Sequence, residues 1–144
     1  SVYLFCGVKQ ISHFTDLFEQ FGMTTRLGIW HKTNPSPMNG QRLWLSGLEA
    51  CVFARKSKAT FNEHCQSALW TQSTKQGKIH PTQKPVALFE RLVKASSNSG
   101  DTVLDPFAGS GTTAVAAENT GRRWICIERD PAYYYAACAR VLTT

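Results

Sequence analysis

Residues 102–130, TVLDPFAGSGTTAVAAENTGRRWICIERD, set two carboxylates around a glycine-rich turn, where a nucleotide-like ligand would need them. Gly109 and Gly111 permit a tight turn and close approach of the backbone to a ligand, and the amides opening the following helix make a partly positive cradle. Asp105, at the end of the preceding strand, is placed to accept a hydrogen bond from a cationic or amino group. Glu128 ends the next strand and can accept from both hydroxyls of a ribose, the role of the acidic residue about 20 positions on in dinucleotide sites. The two carboxylates thus bracket a nucleoside. A phosphate loop would carry Gly-Lys-Ser/Thr, whereas Gly111 is followed by Thr112 and Thr113, and the GxGxxG spacing is also absent. An uncharged ribose and an amino acid tail fit better. The plain alternative is a turn that merely joins strand to helix, and the conjunction of Asp105, Phe107 and Glu128 argues against it.

The elements that must position these residues follow from periodicity. A strand is expected at Thr102–Asp105, a helix from about Thr112 to Thr120, a strand at Arg123–Glu128 and a helix from Pro131 to about Val141. Before them, HPTQKP reads as a Pro-flanked turn leading into a helix from about Val86 to Ser97, with Pro85 at its first position. Such alternation implies a parallel sheet flanked by helices, with ligands at the carboxyl ends of the strands. In the N-terminal half, Ser1–Cys6 reads as a buried strand. Ile11, Phe14, Leu17, Phe18 and Phe21 recur at helical spacing, closed by Gly22. Met23–Lys32 and Glu49–Arg55 read as two more strands around a Pro/Asn/Gly/Ser loop. Residues 56–79 are polar and aperiodic, and read as a long surface excursion or a partly disordered insertion, of a length that is usually functional.

Composition bounds the answer. The 144 residues suit one domain, 1–144, with a single core. The longest apolar runs are far too short to cross a bilayer, and Ser1–Gly7 lacks the basic region and cleavage site of a signal peptide, so a cytoplasmic protein is expected. Five cysteines without a CxxC pair or a His/Cys cluster argue against both a disulfide framework and a metal site, and read as mostly buried thiols. A net charge of +6 favours a polyanionic partner, because basic surface gains affinity by releasing counterions from phosphate.

DPFAGSGTT resembles the cofactor motif of the amino methyltransferases that modify adenine or cytosine in DNA, and HPTQKP resembles the segment that precedes it in their permuted subgroup. IWHKTNPSP (29–37) and GLEACVFARK (47–56) also resemble that family's strands, so the likeness spans nearly the whole chain outside 57–79. The resemblance implies a Rossmann-like α/β methyltransferase fold with a mostly parallel sheet and S-adenosyl-L-methionine as cofactor. Asp105 would hold the methionine amino group and Glu128 the ribose. Pro106, Phe107 and Ala108 and the amides of Gly109, Ser110, Gly111 and Thr112 would line the cofactor, and His80, Thr82, Gln83, Lys84 and Pro85 would close the site. Trp30, Lys32, Asn34 and Pro35 would sit near the target base or the DNA backbone, although a Pro-bounded loop after an aromatic strand end is as readily plain structure. Residues 57–79 would read the target, and Arg26, Arg42, Arg55, Lys56 and Lys58 could contact phosphate.

The family's reaction uses an Asp/Asn-Pro-Pro-Tyr/Phe loop, whose polar groups accept from the base amino group while the ring stacks on the flipped-out base. No such tetrapeptide occurs here. Asp130-Pro131-Ala132-Tyr133 falls where the family starts a helix, and reads as Asp130 capping a helix with Pro131 at its first position. Asn34-Pro35-Ser36-Pro37 lacks the aromatic. No residue here is therefore assigned a catalytic role, and the catalytic loop is expected upstream of Ser1 or on another chain. No cysteine follows a proline, which excludes attack on cytosine carbon. The expected protein is the cofactor-binding part of a DNA methyltransferase of bacterial or phage restriction-modification type. Its rivals are an inactive cofactor- and DNA-binding module or prophage remnant, and an RNA or protein glutamine methyltransferase. About five of the seven strands of a full sheet are expected, leaving an edge that a second copy or a partner chain would cover.

Overall fold

The computed structural model describes residues 1–38, 40–74 and 82–143. They fall into two compact units, Ser1–Thr74 and Lys75–Thr144.

In the first unit, β1 (Val2–Cys6) leads through a short 3-10 turn into α1 (Ile11–Gln20), which packs on β2 (Thr24–Lys32) and β3 (Leu48–Arg55). The helix stops as expected at Gly22. The Gly22 amide donates to Glu19 O at 2.9 Å and the Met23 amide to Phe18 O at 3.1 Å, the paired bonds of a Schellman end. A fourth strand, β4 (Leu69–Gln72), lies inside the stretch read from sequence as a surface excursion. The order is β1-β3-β2-β4. Strand β3 is antiparallel to both neighbours and β4 is parallel to β2. The expected parallel order therefore holds for only one of this sheet's three pairings. The reason is local: β2 and β3 are joined by a loop rather than a crossover helix, so they meet antiparallel.

Ala50 to Ala54 of β3 are all buried, because the strand is interior and has packing on both sides. Strand β1 was expected to be buried but is only half-buried, since it pairs on one side alone in this sheet. Trp30 and Trp70 are in register on β2 and β4, and both are buried. Gly28 makes room for the second indole: a Cβ there would lie 2.3 Å from Trp70 Cη2.

In the second unit, α2 (Val86–Ser96), β5 (Thr102–Asp105), α3 (Thr112–Asn119), β6 (Arg123–Cys126) and α4 (Pro131–Leu142) follow the expected order. β5 and β6 pair in parallel. Strand β6 ends at Cys126, two residues short of expectation, as the chain turns toward Asp130. Helix α3 is buried from Thr112 to Ala117 and packs against β5, β6, α2 and α4. Its end repeats the α1 device, with Gly121 N to Glu118 O at 3.0 Å and Arg122 N to Ala117 O at 2.9 Å. Leu104 and Ile125, adjacent in register, are exposed, as is Ile127.

Among the described residues no helix is long and apolar enough to cross a membrane, and no group of His, Cys, Asp and Glu could hold a metal ion. All five cysteines are free, but only Cys51 is fully buried and Cys65 is exposed, which corrects the expectation of mostly buried thiols. Cys51 is interior because β3 is; Cys65 lies in the irregular chain ahead of β4, with its backbone left-handed at φ +58°.

Candidate functional site

The glycine loop between β5 and α3 is built from contacts that run backward and forward along the chain. Asp105 Oδ1 accepts from the Phe107 amide at 3.0 Å, and Oδ2 accepts a short hydrogen bond from the Thr113 hydroxyl. One carboxylate thus ties the end of β5 to the start of the loop and to the first turn of α3. Glu128 does the corresponding work from just beyond β6: Oε2 accepts from the Gly109 amide at 2.7 Å and Oε1 from the Asp130 amide at 2.8 Å. These amides, Asp130 first and then Gly109, hold Glu128 below the usual carboxylate range. Cys126 lies nearby, its thiol pushed up to about 12 by burial and by the charge of Asp105.

Gly109 and Gly111 are both left-handed, at φ +52° and +72°. Gly111 precedes α3, and a Cβ there would stand 3.0 Å from Ala137 Cβ of α4, so both its backbone angle and its surroundings require glycine. The side chains of Ser110 and Thr112 are buried, whereas Pro106 is exposed, Ala108 is half-buried, and Phe107 is 82% exposed at the lip of the loop. The loop therefore offers backbone and one aromatic ring, and turns its hydroxyls inward.

That arrangement fits a nucleoside joined to an amino acid tail. Each oxygen of Glu128 accepts one amide and keeps a lone pair for a further donor such as a ribose hydroxyl. The residues from Asp105 to Thr112 contribute no cation for a phosphate.

The TQKP residues lie beside this loop. Gln83 is 4% exposed and Pro85 is buried, while Thr82 is exposed. The Thr112 hydroxyl donates to Lys84 O at 3.3 Å, and Lys84 Nζ turns back to Thr82 O at 3.3 Å. Pro85 is the extended cap of α2 rather than its first residue; its carbonyl accepts from Phe89 at 3.4 Å, so the helix begins at Val86. His80 lies outside the described residues. Asp130 caps α4, accepting from Ala132 and Tyr133 at 2.8 and 3.3 Å with Pro131 next, as expected.

The other candidates belong to the first unit and are spent within it. Trp30 is buried, and its Nε1 donates to Gln72 O at 3.0 Å. Lys32 Nζ pairs with Glu49 Oε1 at 2.7 Å, donates to Ser46 O at 3.4 Å and stands 5.3 Å from the Trp30 ring centre. Asn34 clasps Thr74: Nδ2 donates to Thr74 O at 3.1 Å, and Oδ1 accepts from the Thr74 amide at 2.6 Å and hydroxyl at 3.0 Å. Pro35 sits against Gly47, where a Cβ would meet its Cγ at 3.8 Å. Together these contacts neck the loop Thr33–Gly47 where β2 and β4 end. Of the five basic residues that could contact phosphate, Arg26 donates to Thr25 O at 2.9 Å and Arg55 to Ala59 O at 2.6 Å and Ser57 O at 3.2 Å.

The parts that three residues play at the glycine-loop site were not legible in sequence. Thr113 closes the DPFAGSGTT motif, but nothing there names Asp105 as its partner. Ala137 and Arg140 lie some thirty residues downstream on α4, spaced i, i+3 so that they share a face. Ala137 packs on Gly111 and Arg140 reaches the loop itself, and no local pattern marks either.

An α/β chain with a left-handed glycine loop bracketed by strand-end carboxylates belongs to the Rossmann-like class that binds nucleoside-containing ligands. A family model described as DNA methylase, of the N6/N4 methyltransferase type, matches residues 1–139, and the chain belongs to that family. It is 40% identical over 131 residues to the type II methyltransferase M2.DpnII of Streptococcus pneumoniae, covering 78% of this chain and 48% of that protein. The type II methyltransferase M2.LlaDCHI of Lactococcus lactis subsp. cremoris is 36% identical over 130 residues, with 78% and 48% covered. The chain therefore spans about half the length of these relatives. The crystal structure of the M1.HpyAVI–SAM complex is similar at a TM-score of 0.85 and 35% identity, over 96% of this chain and 72% of that one.

Proposed function

We propose that this chain is the S-adenosyl-L-methionine-binding portion of a DNA methyltransferase that acts on an exocyclic base amino group. The observation that carries the reading is the glycine loop, with the Phe107 ring exposed at its lip and its shape set by Asp105 and Glu128. Membership of the DNA methylase family and likeness to a protein crystallised with SAM support it. In this reading Glu128 holds the ribose, Asp105 orients the loop toward the methionine amino group, and Gln83, Lys84 and Pro85 wall the site, with Thr82 at its rim. The cofactor supplies an activated methyl on a sulfonium. What this chain contributes is positioning and exclusion of water, the larger part of catalysis when no covalent intermediate forms.

The base is held by a catalytic loop from elsewhere in a longer protein or from a partner chain. The partner is double-stranded DNA, with Trp30, Lys32, Asn34 and Pro35 acting by shaping the Thr33–Gly47 loop. The match across residues 1–139 supports reading both units as parts of one domain in a bacterial, cytoplasmic restriction-modification enzyme.

Calorimetric titration with S-adenosyl-L-methionine tests the cofactor reading. The chain is expected to bind, and Asp105→Ala, which removes the acceptor for Phe107 and Thr113, is expected to lose at least ten-fold in affinity. A chain that stays folded and binds no cofactor, or a variant that binds as tightly as the parent, would refute it.

A further inference from the structure

The glycine loop is held from a side that the nucleoside reading does not use. Helix α4 lies over it: Ala137 packs against Gly111, and one turn on, Arg140 reaches in with Nη1. That nitrogen donates to Ser110 O at 3.0 Å, to Ser110 Oγ at 3.2 Å and to Thr112 Oγ1 at 3.1 Å. The guanidinium is half-buried, and burial lowers its pKa, yet an arginine keeps its charge throughout the ordinary pH range. A cation at the start of α3 is opposed by the helix dipole. The same charge lies in the last turn of α4, whose dipole favours it, so what the placement brings to the loop is the donor geometry of the guanidinium.

The contacts form a closed circuit. Glu128 joins the Gly109 amide to the Asp130 amide, Asp130 caps α4, and the far end of α4 returns through Arg140 to Ser110 and Thr112. Because the hydroxyls of Ser110 and Thr112 both accept from Arg140, and Thr112 in turn donates to Lys84 O, these side chains are directed inward.

We propose that Arg140 is a positioning residue for cofactor binding: through Ser110 and Thr112 it fixes the glycine loop in the left-handed conformation that meets the cofactor. This rests on the reading of the loop as a cofactor cradle, and it makes the last turns of α4 part of the binding site without touching the ligand.

The test measures S-adenosyl-L-methionine affinity by calorimetry and glycine amide resonances by NMR on the whole chain, for the parent, Arg140→Leu, Arg140→Lys and Tyr135→Ala, a change on the exposed side of α4. Arg140→Leu is expected to bind at least ten-fold more weakly and to shift the Gly109 and Gly111 resonances before any ligand is added. Lysine, with one compact donor group in place of the planar fork, is expected to recover part of the affinity. Tyr135→Ala is expected to match the parent. If Arg140→Leu does not fold, the lysine variant at a temperature below its unfolding transition carries the comparison. Equal binding by parent and Arg140 variants overturns the proposal and leaves the cradle reading intact, as does an affinity loss that merely tracks lowered stability with no lysine rescue. No binding by the folded parent overturns the cradle reading itself, and the proposal with it.

Discussion

Two loops leave the carboxyl ends of strands in this protein, and they are built in opposite ways. The glycine loop after β5 is fastened along its whole length: Asp105, Glu128 and Arg140 reach Phe107, Gly109, Ser110 and Thr112 in turn. The loop Thr33–Gly47 after β2 is fastened at its neck, by the Lys32–Glu49 pair, the Asn34–Thr74 clasp and the Lys32 amide on Gly47 O at 2.7 Å. Beyond the neck, Met38, Leu43 and Trp44 are exposed, Trp44 completely. The contrast shows two ways of using polar side chains. In the first loop they set backbone conformation residue by residue; in the second they close the base of an excursion whose tip contributes little to the fold.

The sharpest way to break this contrast is at Gly111. Alanine there must adopt φ near +72° and press a methyl 3.0 Å from Ala137, so a loss of about 3 kcal/mol is expected in chemical unfolding, with cofactor affinity falling alongside. A loss below about 1 kcal/mol would mean that the loop is less tightly specified than its contacts imply. At the neck of the other loop, Asn34→Ala removes three hydrogen bonds to Thr74 and is expected to cost about 1–2 kcal/mol by the same measurement.

Acid sharpens the comparison further, since the folded protein holds Glu128 below its ordinary value of 4.5. Its contribution is then fully present above about pH 4.5 and is lost as pH falls through the lower folded value. Tm measured against pH should show that acid-side loss reduced in Glu128→Gln, whereas Asn34→Ala should leave its shape unchanged. The smallest effect is expected at the tip of the second loop, where Trp44→Ala should change stability by no more than about 0.5 kcal/mol. A larger loss would show that the tip is anchored after all.

Much of the second unit was legible in sequence. Asp105, Gly109, Gly111 and Glu128 stand out because left-handed glycines and strand-end carboxylates carry their geometry in their own residue types, and Asp130-Pro131 announces a helix start in the same local way. The first unit was read less completely. Strand β4 was missed because LWTQ is too short to show a period, and what makes it a strand is parallel pairing to β2 with Trp70 lying over Gly28. Likewise Trp30, Lys32, Asn34 and Pro35 read equally as a substrate-facing group and as plain structure, and each is engaged within its own unit.

The sequence by itself determined the order of strands and helices in the second unit, the turn chemistry of its glycine loop and the family to which the chain belongs. These are encoded over stretches short enough for residue type and spacing to decide them. Tertiary structure alone decided the antiparallel setting of β3, the buried place of Trp70 and the reach of Arg140 to Ser110, because each is a contact between residues distant in sequence whose partners no local pattern names.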